Sequence, residues 1–258
     1  MLYGACCVPV SPVKKEPSHT SEMVSQLIFG ERCTLLETFQ GDWIKIQGKA
    51  DGYVGWCHQS HLVNIDEDEF EEKRLAYTKE WISQVVFEHQ TMQLPLGSCL
   101  AGCKKRKGRL GNISFHYHGK LWWPEEVKVS GKKIEKFASE FINTPYLWGG
   151  KTVFGIDCSG FSQAVFKFFN IHLPRDSWQQ AEMGELVSNL EKAKRGDLIF
   201  FDNPQGKIVH VGILLKQNKI IHSSGKVRID KIDNEGIINL STGKRTHHLA
   251  SIRRYVTG

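Results

Sequence analysis

The segment Asp157-Cys-Ser-Gly-Phe161 places a cysteine where an amphipathic stripe begins. Phe161, Ala164, Val165, Phe168 and Phe169 recur at helical spacing and stop at Asn170, so Cys158 stands in the first turn of a helix. There a sulfur meets backbone N–H groups with no intrahelical partner and the positive end of the helix dipole. Both favour thiolate and would bring the pKa down from about 8.5. The same N–H groups can donate to an oxyanion forming on a substrate carbonyl, and Gly160 leaves room for a substrate backbone. This is the chemistry of a nucleophile for acyl transfer, and it requires a base.

Two histidines could supply it. His210-Val-Gly212 and His222-Ser-Ser-Gly225 read as parts of two strands of one hairpin. If Leu214 and Asn218 face each other across a three-residue turn, Leu215-Lys216-Gln217, His210 lies opposite His222 with Cβ atoms about 4.5–5.5 Å apart. His222 would then hydrogen-bond His210 and fix its tautomer while the other ring nitrogen faces the thiol. A two-residue turn would instead pair His210 with Ser223. A lone cysteine is more often a small buried hydrophobe, and a strand histidine is commonly just half-buried. What carries the Cys–His–His reading is their joint occurrence with the helix start and the run Tyr146-Leu-Trp-Gly-Gly150.

The elements that must hold these groups follow from the change of period along the chain. Up to about residue 64, short strands alternate with turn signals (Phe29-Gly-Glu31, Gln40-Gly-Asp42, Lys49-Ala-Asp-Gly52) about every ten residues, the pattern of a small barrel. Asp66 to Glu72 is an acidic connector or helix, and residues 82–129 are β-rich but weakly patterned. From Gly131, Ile134, Phe137, Ala138, Phe141 and Ile142 mark a helix that ends near Asn143-Thr-Pro145. After the Cys158 helix, Asp197–Phe201, Ile208–Leu215, Lys219–His222 and Ser251–Val256 read as strands. The fold class is α+β, with divisions at 1–64, 65–129 and 130–258.

Composition bounds the rest. In 258 residues, 40% hydrophobic and 24% charged, a net charge of +6 is mild. The basic cluster at Lys104–Arg109 reads as a solvated loop, so no nucleic-acid partner is expected. Seven cysteines cannot all pair and show no repeating spacing, which suits reduced thiols. Cys99 and Cys103 with His116 and His118 lack a C-x-x-C knuckle, so no metal is expected. No run approaches the roughly 18 apolar residues of a membrane span, and the N-terminus lacks the basic-then-apolar pattern of a signal peptide. A cytoplasmic monomer without cofactor is the expectation, with export implied if a leader once preceded it.

Asp157-Cys-Ser-Gly-Phe, Arg195-Gly-Asp-Leu-Ile-Phe-Phe201, His210-Val-Gly-Ile and Ile221-His-Ser-Ser-Gly resemble the successive motifs of the NlpC family, over residues 131–256. The resemblance implies a reduced papain-like fold that hydrolyses amide bonds in peptidoglycan peptides. Cys158 would be its nucleophile, His210 its base, His222 the orienting residue and Tyr146 a phenol beside the thiol. Val8-Pro-Val-Ser-Pro-Val, Glu16-Pro-Ser, Ser21-Glu-Met-Val-Ser-Gln, Phe29-Gly-Glu and Asp51-Gly-Tyr-Val-Gly-Trp are similar to the bacterial Src-homology-3-like barrel fused ahead of γ-D-glutamyl-L-diamino acid endopeptidases. That likeness implies that Glu22 and Tyr53 hold the free amine of an N-terminal L-alanine. Asp157, Ser159, Asp176 and Ser177 would make further substrate contacts, although Asp157 also suits a helix N-cap. The middle stretch would be a second, divergent barrel. The substrate implied is an L-Ala-γ-D-Glu-diamino acid peptide. A weakly catalytic or non-catalytic peptidoglycan-binding protein and a related thiol amidase are the alternatives.

Overall fold

A computed structural model describes residues 2–87, 90–216 and 218–256, which form two compact units. The first holds Met1–Val127 and Trp148–Val153, the second Lys128–Leu147 and Phe154–Gly258.

In the first unit seven antiparallel strands run in the order Met23–Ile28, Val10–Lys14, Val54–His58, Trp43–Gly48, Arg32–Phe39, Leu2–Cys6, Leu62–Ile65. Alternation buries Cys6, Val13, Leu27, Cys33, Ile44, Ile46 and Cys57 together, so three of the seven cysteines serve as small hydrophobes. The acidic connector is a helix, Glu67–Glu71, capped by the Asp66 carboxylate on Glu69 N. At its other end Arg32 Nη1 donates to the carbonyls of Glu69, Phe70 and Glu72 at 2.8–2.9 Å, closing the orphan acceptors.

The middle stretch contributes a four-stranded sheet in the order Gln90–Pro95, Ile82–Phe87, Ile113–His118, Lys107–Leu110, and the pair Tyr77–Thr78 with Leu121–Trp122. Its apolar residues Val85, Leu94, Leu100, Leu110, Phe115 and Tyr117 pack in one cluster with Ala5, Phe29, Ile65 and Phe70. The division drawn at 64/65 therefore runs through a shared core and does not separate two compact units. Residues 148–153, assigned above to the third segment, also join the first unit. There Lys151 N donates to Gln26 Oε1 at 2.8 Å, and its buried ammonium lies 3.2 Å from Glu31 Oε2.

In the second unit the helices Gly131–Ala138, Cys158–Lys167 and Ser177–Ala181 accompany a seven-stranded antiparallel sheet. Its order is Glu185–Leu186, Arg245–Arg254, Leu198–Asp202, Ile208–Leu214, Lys219–Ser224, Lys226–Asp233, Gly236–Ile238, and the last strand pairs back onto Arg245–Arg254, closing six strands into a small barrel. One face carries Ile199, Phe201, Leu214, Ile220, Ile232, Ile237 and Ile252. Phe137, Phe141, Phe161, Phe168 and Phe169 pack in tilted and edge-to-face pairs where the first two helices meet. No helix among the described residues is long and apolar enough to cross a membrane.

Gly30 ties the two parts of the first unit. It has φ +75°, its N–H donates to Cys6 O, and a Cβ there would fall 1.8 Å from Cys99 O. Gly41, also at positive φ, has open space around it. Gly30→Ala is expected to cost at least about 3 kcal/mol in urea unfolding and Gly41→Ala about 1 kcal/mol. Equal losses would contradict the shared core.

Candidate active site

The Cys158 helix begins as its sequence dictates. Asp157 is its N-cap, with extended backbone, and Oδ1 accepts from Gly160 N at 2.7 Å. The cap is itself clamped: Arg175, 2% exposed, donates through Nη2 to Asp157 Oδ2 at 2.5 Å and through Nη1 to Asp157 Oδ1 and Ser159 Oγ at 3.1 and 2.9 Å. A buried fork of this kind costs about 3–5 kcal/mol to break by removing one partner. Gln180, also buried, donates to Ser159 O and Pro174 O and accepts from Ser162 Oγ, so the loop after the helix is fastened to its first turn.

These contacts give structural partners to residues expected at the substrate. The side chains of Asp157 and Ser159 are buried against Arg175, and Asp157 makes the helix cap that its sequence also suits. Asp176 forms a capping box with Gln179 at the start of Ser177–Ala181, where Ser177 is buried. Arg175, next in sequence to Asp176 and Ser177, holds Asp157 and Ser159 together. Its buried charge could be anticipated from the acid at Asp157, which needs a partner once inside.

The two histidines meet, but not by the register expected. Gly212 lies opposite His222 and Leu214 opposite Ile220, a shift of two residues from the proposed pairing; Gln217, placed in the turn above, lies outside the described residues. A shift of two preserves the face, so His210 and His222 become diagonal neighbours. His210 Nε2 and His222 Nδ1 are 2.8 Å apart. Gly212 makes this possible: a Cβ there would come within 3.0 Å of His222 Cβ and 2.7 Å of Ile220 Cδ1. Two further residues escaped the sequence reading. Asp230 Oδ2 lies 3.0 Å from His222 Nε2, one strand further on, and the His247 ring stacks on His210 with centroids 4.2 Å apart. The signal for Asp230 was an acid inside the alternating run Lys226–Asp233, a strand the turn signals did not reveal.

Within this unit the Cys158 helix packs on the strands that carry His210 and His222, and the N–H groups of Val211, next to His210, and of Ser159 bond toward the Cys158 sulfur. They do not make a thiolate. Burial, then the Asp157 charge, pushes the Cys158 thiol up to about 12, over the opposing pull of those N–H groups and Arg175. Burial, with His222 and His247 nearby, pushes His210 well below its ordinary value, and His247 is pushed down to about 4 by burial and His222. Desolvation thus opposes the acidification expected from the helix end, and both shifts favour a resting pair of thiol and neutral imidazole. Tyr146 faces the same place, its phenol pushed up to about 12 by burial and by Cys158 and Asp157.

Glu22 and Tyr53 belong to the first unit, each just ahead of a strand, Met23–Ile28 and Val54–His58, that flanks Val10–Lys14. Glu22 Oε1 accepts from Trp148 Nε1 at 2.8 Å, and Oε2 lies 3.7 Å from Lys15 Nζ. Among the described residues no group of three His, Cys, Asp or Glu side chains is arranged to hold a metal ion.

The neutral pair has a pH signature. A raised thiol pKa and a lowered imidazole pKa leave no pH window in which thiolate and imidazolium coexist, so the thiolate fraction grows only as pH rises. Alkylation of Cys158 by iodoacetamide, followed by peptide mapping, should climb about tenfold per pH unit from neutral to alkaline pH. A plateau of rapid alkylation from about pH 5 to pH 8 would contradict the neutral pair.

The NlpC/P60 family profile matches residues 143–246, and a profile described as the bacterial dipeptidyl-peptidase Sh3 domain matches residues 13–62. A γ-D-glutamyl-L-lysine dipeptidyl-peptidase of Bacillus subtilis (strain 168) is 31% identical over 77% of this chain and 71% of its own length. A protein of the same name from Bacillus cereus (strain ATCC 10987 / NRS 248) is 26% identical over 93% and 77%. The solved structure of an NlpC/P60 family protein from Bacillus cereus ATCC 10987 shares the fold with a TM-score of 0.82, at 19% identity over 99% of this chain and 100% of that one. By these matches the chain belongs to the NlpC/P60 family of cysteine peptidases, in the form fused to a bacterial Src-homology-3-like domain.

Proposed function

We propose that the protein cleaves the bond between γ-D-glutamate and a diamino acid in small murein peptides that carry a free N-terminal L-alanine. It would work in the recycling of such peptides in the cytoplasm. The observation that carries this reading is the carboxylate of Glu22, held by the indole of Trp148 within the Tyr-Leu-Trp-Gly-Gly run. Its donor there is uncharged, and among the described residues the exposed Lys15 is the cation beside it, at 3.7 Å, so a ligand cation can still pair with it. Relatives named for a γ-D-glutamyl-L-lysine dipeptidyl-peptidase activity support the choice of bond.

In the proposed reaction His210 takes the thiol proton through Nδ1 as Cys158 Sγ attacks the γ-carbonyl. The N–H groups at the helix start receive the oxyanion. Collapse breaks the C–N bond, the imidazolium returns the proton to the departing amine, and a thioester remains. Water, deprotonated by the same imidazole, then releases L-Ala-γ-D-Glu. Because thiol and imidazole begin uncharged, base and nucleophile act in one step, and a serine at 158, with a far less acidic proton, should not substitute.

An ammonium held by Glu22 and Tyr53 would gain charge-assisted hydrogen bonds worth roughly 1.5–3 kcal/mol each. Acylating the amine removes them and leaves an acid unpaired. The test compares L-Ala-γ-D-Glu-diaminopimelate with its N-acetyl form: kcat/KM should fall a few hundred-fold or more on acetylation. Glu22→Gln should erase most of that preference. Equal kcat/KM for the two peptides would overturn the free-amine reading and leave a general murein endopeptidase or amidase.

A further inference from the structure

Asp230 is not part of a cysteine–histidine–histidine set, yet it is 1% exposed and built into the same interior. Its Oδ2 faces His222 Nε2 at 3.0 Å, and its Oδ1 accepts from Leu240 N at 2.8 Å and from Arg228 Nη2 at 2.9 Å. Arg228 in turn reaches Asn239 Oδ1 at 3.1 Å and Ser241 Oγ at 3.2 Å. By strand alternation His210, His222 and Asp230 lie on the face that carries Leu214, Ile220 and Ile232. Three titratable groups thus stand in line across three neighbouring strands of an otherwise apolar barrel.

The proton positions along that line follow from donor and acceptor counts. Burial acts to raise the Asp230 carboxyl, but hydrogen bonds from His222, Leu240 N and Arg228 hold it down at about 2, so it is ionised and can only accept. The His222 nitrogen that faces it therefore carries hydrogen. A neutral imidazole has one N–H, so His222 Nδ1 presents a lone pair, and His210 must donate to it through Nε2. The lone pair of His210 is then on Nδ1, the nitrogen a base needs for the thiol.

We propose that Asp230 is a positioning residue of the catalytic apparatus, which fixes the tautomers of His222 and His210 in series and steadies the imidazolium formed when His210 takes the Cys158 proton. The proposal rests on the reading of Cys158 and His210 as nucleophile and base. No proton passes to Asp230: the thiol hydrogen moves to His210 Nδ1 as the C–S bond forms and later passes to the leaving amine, while Asp230 stays a carboxylate. Without Asp230, His222 Nε2 would be left beside the Arg228 cation, which favours a lone pair there. The hydrogen would shift to Nδ1, His210 would be turned to its Nδ1–H form, and the thiol would face a donor in place of a base.

The first test needs no substitution. Nitrogen shifts of histidine-labelled protein at neutral pH should show His222 protonated on Nε2 alone and His210 on Nε2 alone; His222 carrying hydrogen on Nδ1 would overturn the proposal. The second compares peptide hydrolysis by Asp230→Asn and Asp230→Ala. The amide oxygen of Asn can still accept from His222, so kcat should fall about tenfold in Asp230→Asn and about 100-fold in Asp230→Ala, with KM within about twofold in both. Unchanged kcat in a folded Asp230→Ala, with Cys158→Ala inactive, would reject the role of Asp230 and leave the nucleophile assignment standing. Turnover by Cys158→Ala would reject the assignment beneath it.

Discussion

The hydrogen bond between His210 and His222 is the contact on which the peptidase unit depends, because a buried imidazole with the wrong nitrogen turned outward is no base at all. The sheet is arranged to permit that contact. The strands pair so that Gly212, without a side chain, lies opposite His222, and the ring can lean diagonally to His210. Closure of the six strands then brings Arg245–Arg254 alongside, and His247 covers the His210 ring from that strand. A polar row of this kind would be a liability in an apolar interior if any member lacked a partner; each inner nitrogen is answered by the next group, and the row ends on an acid held by an arginine and a backbone N–H.

Desolvation then sets the resting charge state. The helix end and two backbone N–H groups pull Cys158 toward thiolate, yet burial and the neighbouring Asp157 push harder. The same burial keeps His210 neutral. An uncharged pair in a buried site costs little to maintain, and in the proposed reaction it is attack on the substrate carbonyl that separates charge. Asp157 illustrates the division of labour: its carboxylate starts the helix and grips Arg175, which fixes Ser159, so the acid nearest the thiol serves geometry and at the same time discourages premature ionisation.

Much of this was legible from the sequence where a local rule decides the outcome. The start of the Cys158 helix followed from its apolar stripe, the acidic run of the connector allowed a linker or a helix, and the meeting of the histidines followed from two strands of one hairpin. The register was not legible, since it depends on a turn whose length the pattern leaves open; the two-residue slip did no harm because the side-chain period is two. Asp230 and His247 were missed for a related reason. Their roles arise from strands that meet only when the sheet closes, and the run from Lys226 to Arg254 gives weak turn signals. The middle stretch was poorly patterned because Val85, Phe115 and Tyr117 share a core with Phe29 and Phe70 and need no interior of their own.

The proposed chemistry is that a thiol, freed by a neutral base, opens a γ-glutamyl amide. The direct test is product analysis by mass spectrometry after incubating L-Ala-γ-D-Glu-diaminopimelate with the protein and with its Cys158→Ala form. The account predicts L-Ala-γ-D-Glu and free diaminopimelate from the first and intact tripeptide from the second. Release of alanine, scission at any other bond, or turnover without Cys158 would contradict it.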